Sequence, residues 1–437
     1  MSTVAIPRKS YGLIVVAIVC AACMVYYHLG LFVPQVLNVR AAEGFGKGYS
    51  FGADFYPIWL TARQGLLDHR DPYSPQTTRQ IQIDLFGRSV DTRVFGAPPE
   101  YWTFAYPAFA DVLFWPLALL PFSSVRVGFA VILAIVTVFS VILWLRALRL
   151  RASPTAMFSV IVLALSSYAV LEGLFAEQLG LLVGFLLAAS LAALVRQRLF
   201  FSGTLLALTL LKPQTMVLIA AYLLLWSLAQ WRARWQFVAG LSLMSLLLGA
   251  SSLLVWPHWI PEWLHVLRGY RQYSPPPLAS YVLGNLIGPR VSPILTVMLL
   301  AGAFVLALRM RRVSATSVEF GLTVSLLLAV TTIAVLAGQA VYDHVLLLPG
   351  VILITLSWRG FAKSLPFRVV LGITALAVFW QWIAAPLVIA TRPILSQEFF
   401  RSVVLTLPIR TAASIPFGVC ALLGLMIWQG TRKKVAR

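Results

Sequence analysis

Tyr11 to Val33 reads YGLIVVAIVCAACMVYYHLGLFV, a stretch without one charged side chain. At 1.5 Å per residue a helix over it measures about 34 Å, enough to cross a hydrocarbon core about 30 Å thick. Arg8 and Lys9 stand just before it and place its start in the cytoplasm. Cys20-Ala21-Ala22-Cys23 hints at a lipoprotein processing site, but the apolar run continues to Val33, so the segment reads as an uncleaved anchor helix. Similar runs recur along the whole chain. Hydrophobic residues make up 60% and charged residues 11%, with mean hydropathy +0.87, whereas a soluble domain carries roughly a quarter charged residues. The composition therefore indicates an all-α polytopic membrane protein. The short alternating segments of a β-barrel are not visible.

Beyond this first run the polarity changes sharply. Of 14 Asp and Glu, half (Glu43, Asp54, Asp68, Asp71, Asp84, Asp91 and Glu100) fall between Arg40 and Tyr101. Unpaired carboxylates are costly in hydrocarbon, so this stretch reads as a polar loop outside the membrane. The formal net charge is +20. Its cations sit in short clusters between apolar runs, so topology explains them, and no basic face or stacking platform suggests nucleic acid. Cys20, Cys23 and Cys420 all lie inside apolar runs, which gives a redox reading little support.

Charge and length together set out the remaining spans. Tyr106 to Phe122 is apolar, but it carries Asp111 and is interrupted by Pro107, Pro116 and Pro121. It is expected to lie along the outer surface rather than to cross. Helices follow over Val125–Leu145, Pro154–Phe175 and Leu179–Val195. Leu199–Leu228 has arginine at both ends, so it must hold two short arms, with Lys212-Pro213-Gln214 at an outward tip below the surface. Further helices are expected over Phe237–Trp256, Pro293–Leu308, Val318–Leu336, from the turn Gln339–His344 to Leu356, and over Val369–Ile389 and Pro408–Trp428. This gives about twelve membrane helices, two of them short, with both termini cytoplasmic and more than half of the 34 Lys and Arg in short inside segments. The whole chain, residues 1–437, reads as a single integral membrane domain. Residues 34–124 form an outer loop with juxtamembrane helices, and residues 125–428 form the helical body.

Few residues are suited to chemistry. Asp54 is a carboxylate among aromatic residues near the surface, suited to take a proton from a hydroxyl as that oxygen attacks; it could also simply cap the helix that follows. Lys212, at a sub-surface tip, suits a phosphate or carboxylate, with snorkelling as the plainer account. His344, in Tyr342-Asp343-His344, could donate to a phosphate oxygen or pair with Asp343. Glu177 and Gln178 fill an outer turn, to bind a sugar or to cap the next helix. Arg268 and Arg271 share the outer loop Pro257–Ser292 with His258, His265, Trp259 and Trp263, where basic and aromatic residues serve as interfacial anchors or as a lipid-phosphate contact. Asp68, His69 and Asp71 read as a turn rather than a metal site. No P-loop, G-x-S-x-G or H-E-x-x-H occurs, and no metal or other cofactor is expected.

In order, Asp54-Phe55-Tyr56, Gly65-Leu66-Leu67, Asp71-Pro72-Tyr73, Phe104-Ala105-Tyr106-Pro107 and Pro116-Leu117-Ala118-Leu119-Leu120-Pro121-Phe122 resemble glycosyltransferase family 87. Glu177-Gln178-Leu179-Gly180 resembles its Gly-Gln turn, Gly203 through Lys212-Pro213-Gln214 its Gly-to-Lys-Pro hairpin, and Tyr342-Asp343-His344 its aromatic-His turn. Two positions depart from the pattern: Ala108 stands in place of a second proline after Tyr106, and Glu177 in place of glycine. The resemblance implies a GT-C fold, a polyprenyl-phosphate sugar donor carrying mannose, a lipid or glycan acceptor and inversion at the anomeric carbon. By position it makes Asp54 the base, with Tyr56, Tyr106, Gln178, Lys212 and His344 lining the site. The chain is then expected in the plasma membrane, among its lipids, with the site facing outside. Two other classes compete. A secondary transporter or lipid flippase would need midplane ionisable groups and internal repeats, and the spans after the first are almost free of Asp and Glu. A non-catalytic envelope-assembly protein would keep the fold without the base.

Overall fold

A computed structural model describes residues 11–42, 51–89, 102–338, 340–362 and 364–435. The readings on Arg8, Lys9, Glu43, Asp91, Glu100 and Gln339 lie outside these. Among the described residues the regular structure is helical, and the one β-type contact is an isolated bridge between Pro277 and Ala337. Tyr11–Val25, a π-helical Tyr26–Phe32 and Val33–Ala42 run on as one helix, α1. It is followed by α2 (Tyr56–Asp68), α3 (Pro75–Phe86), α4 (Phe109–Ala118), α5 (Phe122–Ala147), α6 (Pro154–Leu165), α7 (Tyr168–Ala176), α8 (Leu179–Val195) and α9 (Leu199–Leu208). The second half holds α10 (Val217–Leu228), α11 (Trp231–Val255), α12 (Trp259–Tyr273), α13 (Leu278–Ile287), α14 (Ser292–Met310), α15 (Val318–Ala334), α16 (Leu348–Ser357), α17 (Leu365–Thr391), α18 (Gln397–Ser402), α19 (Leu407–Arg410) and α20 (Ile415–Val435).

Among the described residues seven helical segments are long and apolar enough to cross a membrane, or eight if the bent pair α6–α7 is one span. Leu254 at 86% and Ile373 at 65% exposure show what their outer faces offer; such apolar surface suits lipid and not water. The helices α8, α9, α10 and α15 match expected spans but are shorter. Nearly all of α8 and α15 is buried, because they are wrapped by other helices and need not present a full bilayer-length face.

Local sequence explains the breaks. The α6–α7 pair bends by 53° at Ser166-Ser167, where the Ser167 hydroxyl accepts from the Val170 amide and starts a new helix. The short hairpin stands as expected: α9 tightens into a 3-10 turn, Lys212 sits at its tip and α10 returns. Gly203 and Gly240 let α9 and α11 cross backbone to backbone; a Cβ on Gly203 would lie 2.0 Å from the Phe237 carbonyl oxygen. In residues 106–122 only α4 is helical before α5 begins, and it is too short to span. One expectation needs refining. Pro257–Ser292, read simply as a loop, contains α12 and α13, and Trp263 on α12 donates to the Ala105 carbonyl at 3.0 Å. The helix α7 also carries Glu172, whose carboxylate lies 3.5 Å from His28 of α1.

Candidate functional site

One turn organises the polar end of this body. It runs from Glu177, which ends α7 in the left-handed region (φ 58°), through Gln178 into the first turn of α8. Gln178 occupies the cap position of α8, yet its side chain makes no capping bond; its Nε2 donates to the Asp54 carboxylate instead. The backbone fixes the same register, since the Gly52 amide donates to the Phe175 carbonyl at 2.9 Å and the Asp54 amide to the Ala176 carbonyl at 3.1 Å. The helix after Asp54 is capped by Phe55 without a side-chain bond. Asp54 therefore does not serve as that cap.

Two residues further along the turn, Gly180 brings in the second half of the cluster. Lys212 Nζ donates to Asp343 Oδ1 at 2.6 Å, and both side chains are almost fully buried. A Cβ on Gly180 would stand 2.7 Å from Asp343 Oδ1 and 3.6 Å from Lys212 Nζ, so only glycine lets the pair sit against α8. Lys212 also lies over the Tyr342 ring, 4.7 Å from its centre. The buried ammonium has the carboxylate that its position demands, supplied by Asp343 rather than by Glu177.

Asp54 and Asp343 share a field. Burial raises the Tyr106 hydroxyl above its ordinary range, and Asp54, Tyr270 and Asp343 push it the same way. Tyr270 on α12 is raised by burial and by the same two carboxylates. Asp54, Gln178, Lys212, Asp343, Tyr106, Tyr270 and Gly180 thus belong to one region drawn from six distant parts of the chain.

Glu177 is fully buried, and neither carboxyl oxygen has a hydrogen-bond partner. Burial pushes its pKa up to about 8, against a smaller downward pull from Arg126. Tyr56 turns elsewhere: its hydroxyl donates to Asp84 on α3 at 2.5 Å. Arg268 and Arg271 are exposed on α12. His344 lines a cavity of about 200 Å³ between α6, α16 and α17, and none of Asp54, Gln178, Lys212 and Tyr106 lines it. Asp343, next to His344, is thus the member of that tripeptide that accepts a hydrogen bond from Lys212, with the Tyr342 ring beneath the ammonium. Asp71 forms a turn in which its side chain accepts from the Tyr73 amide at 2.8 Å, and His69 ends α2 in the left-handed region.

Sequence reasoning did not single out Asp343 as the lysine's partner, nor Tyr342, Tyr270 or Arg126. Asp343 had a visible signal, being an acid in an otherwise apolar segment. Tyr270 had none, because its contribution depends on how α12 docks.

Among family models, one described as Glycosyltransferase family 87 matches residues 104–338, more than half of the 437 residues. The matched segment contains Tyr106, Glu177, Gln178, Lys212 and Tyr270; Asp54 and Asp343 lie outside it. Searches of curated proteins and of solved structures found no match.

Proposed function

The chain belongs to glycosyltransferase family 87, and on that basis we propose that it moves a sugar, mannose, from a polyprenyl-phosphate donor to an acceptor hydroxyl, with inversion. Asp54 is the general base. It takes the acceptor's proton while the oxygen attacks the anomeric carbon in line, and the carbon–oxygen bond to the phosphate breaks with its electron pair staying on the phosphate. Gln178 holds the base by one oxygen and fixes its direction. Lys212 lies at the leaving-group side, where a cation stabilises the charge that develops on the phosphate, and the half-buried Tyr106 remains protonated as a hydrogen-bond donor. The body is of GT-C type with twelve spans; the site faces the outside of the plasma membrane and both termini face the cytoplasm, as the distribution of Lys and Arg supports.

The observation that carries this reading is the single turn Gln178–Gly180. It holds a carboxylate suited to be a base on one side and a buried lysine on the other. The test is Asp54→Asn, assayed with polyprenyl-phosphate mannose in proteoliposomes. Asparagine can still accept from Gln178 but cannot take a proton. Transfer should fall by roughly 10²–10⁴ with little change in melting temperature. Near-normal turnover would remove Asp54 from the chemistry.

A further inference from the structure

Three buried polar atoms beside Asp54 have no hydrogen-bond partner. Both carboxyl oxygens of Glu177 are orphaned, and so is the Gln178 Oε1 next to them. On the facing helix, the Nε of Arg126, in the first turn of α5, is orphaned as well. The Arg126 guanidinium acts on Glu177 electrostatically, yet the two make no ion pair, unlike Lys212 and Asp343. These unpartnered atoms lie close to the base. Glu177 Oε2 stands 2.9 Å from where a Cβ on Gly52 would be, two residues before Asp54, and Phe122 closes the other side at 3.1 Å. Arg126 lies over Phe51, 5.9 Å from its centre.

Glu177 is disfavoured here twice over. A buried carboxyl without a partner is costly, and a side chain at φ 58° is strained where glycine would not be. A residue kept at such a position is accounted for by what it meets in use.

We infer that Glu177 and Arg126 are the two walls of a hydroxyl-binding subsite adjoining Asp54, filled by a sugar hydroxyl of one of the two substrates. Charge selects this ligand. The guanidinium repels an ammonium, and the buried carboxyl, which holds its proton at neutral pH, is matched by a neutral hydroxyl rather than by a second charge. A hydroxyl can donate to Glu177 and accept from the Arg126 N–H at once, and Gln178 Oε1 offers a second acceptor. The inference rests on the reading of Asp54 as the base of a sugar transfer and assigns the neighbouring specificity contact.

The test is a binding experiment, so it does not depend on turnover. Full-length protein in nanodiscs is titrated with octyl mannoside, polyprenyl-phosphate mannose and plain polyprenyl phosphate. Wild type is compared with Glu177→Gly and Arg126→Gln, and melting temperatures are recorded in parallel. Both substitutions should weaken a mannose-bearing ligand by about tenfold or more, the usual scale for a hydrogen bond to a charged group, while plain polyprenyl phosphate binds as before. Loss confined to octyl mannoside assigns the hydroxyl to the acceptor. Loss confined to polyprenyl-phosphate mannose assigns it to the donor. Glu177→Gly should also melt higher than wild type, because it removes both the strain and the buried carboxyl. Unchanged affinity for both mannose ligands would overturn the subsite and leave the unpartnered atoms to a structural water. A Glu177→Gly protein that melts lower and binds normally would show Glu177 to be structural. If Asp54→Asn retains transfer while the binding losses appear, the base assignment fails and the subsite stands.

Discussion

Lys212 and Asp343 provide the sharpest test of how this site is built. Their charges meet at 2.6 Å with 7% and 2% of the residues exposed, so removing one partner leaves the other charged and dry. That typically costs about 3–5 kcal/mol, a factor of roughly 10² to 10⁴ in the folded ratio. The two single variants should differ. In Lys212→Gln the Asp343 carboxylate has no counter-charge. In Asp343→Asn the ammonium keeps the Tyr342 ring 4.7 Å away, a contact worth about 0.5–2 kcal/mol, so this variant should lose less. The double variant Lys212→Gln/Asp343→Asn replaces two charges by two amides able to bond to each other, and should recover most of the loss. Unfolding of purified protein in mixed micelles, followed by tryptophan fluorescence, gives all four corners of the cycle. Singles that each cost under about 1 kcal/mol and simply add would refute the argument, since that is how a solvated surface pair behaves. The double variant then isolates binding from folding. It should take up plain polyprenyl phosphate at least about tenfold more weakly than wild type, and unchanged affinity would remove Lys212 from the donor phosphate.

Two other outcomes are expected. The Glu177 carboxyl has a folded value near 8 against about 4.3 in an unfolded chain, so the folded state holds the extra proton. Its contribution to stability is full below about pH 4.3 and is lost as pH rises through 8; the melting temperature of wild type should therefore fall across that window relative to Glu177→Gln, and parallel curves would contradict the burial argument. Gly180→Ala forces a Cβ to within 2.7 Å of Asp343 Oδ1, so transfer should drop about tenfold or more with a stability loss of about 1–3 kcal/mol, and normal activity would show that the pair can move aside without consequence.

The helical body was legible because hydrocarbon imposes length and charge placement on each span. Arginine at both ends of Leu199–Leu228 required two short arms, and the structure has them. Prolines in residues 106–122 excluded a span there, and only the short α4 forms. What stayed hidden depends on docking. The helix α12 is amphipathic but short and rich in aromatics, and nothing local says that its Trp263 will bond to Ala105. In Tyr342-Asp343-His344 the histidine drew attention because it titrates near neutrality. The aspartate proved to face Lys212, because a 3-10 segment, Val341–Leu347, points neighbouring side chains in directions that an α-helical reading does not anticipate.

The cluster draws on residues far apart in the chain. Gln178 is 124 residues from Asp54, and Asp343 is 131 residues from Lys212. A ribosome makes the carboxylate near the beginning and its last supporting charge much later. During synthesis Lys212 therefore exists before its counter-ion does, since Asp343 follows it by 131 residues. The cluster accordingly cannot assemble piecewise from its N-terminal part: the turn at Gln178–Gly180, Lys212 and Asp343 must all have been made before the buried charges can meet.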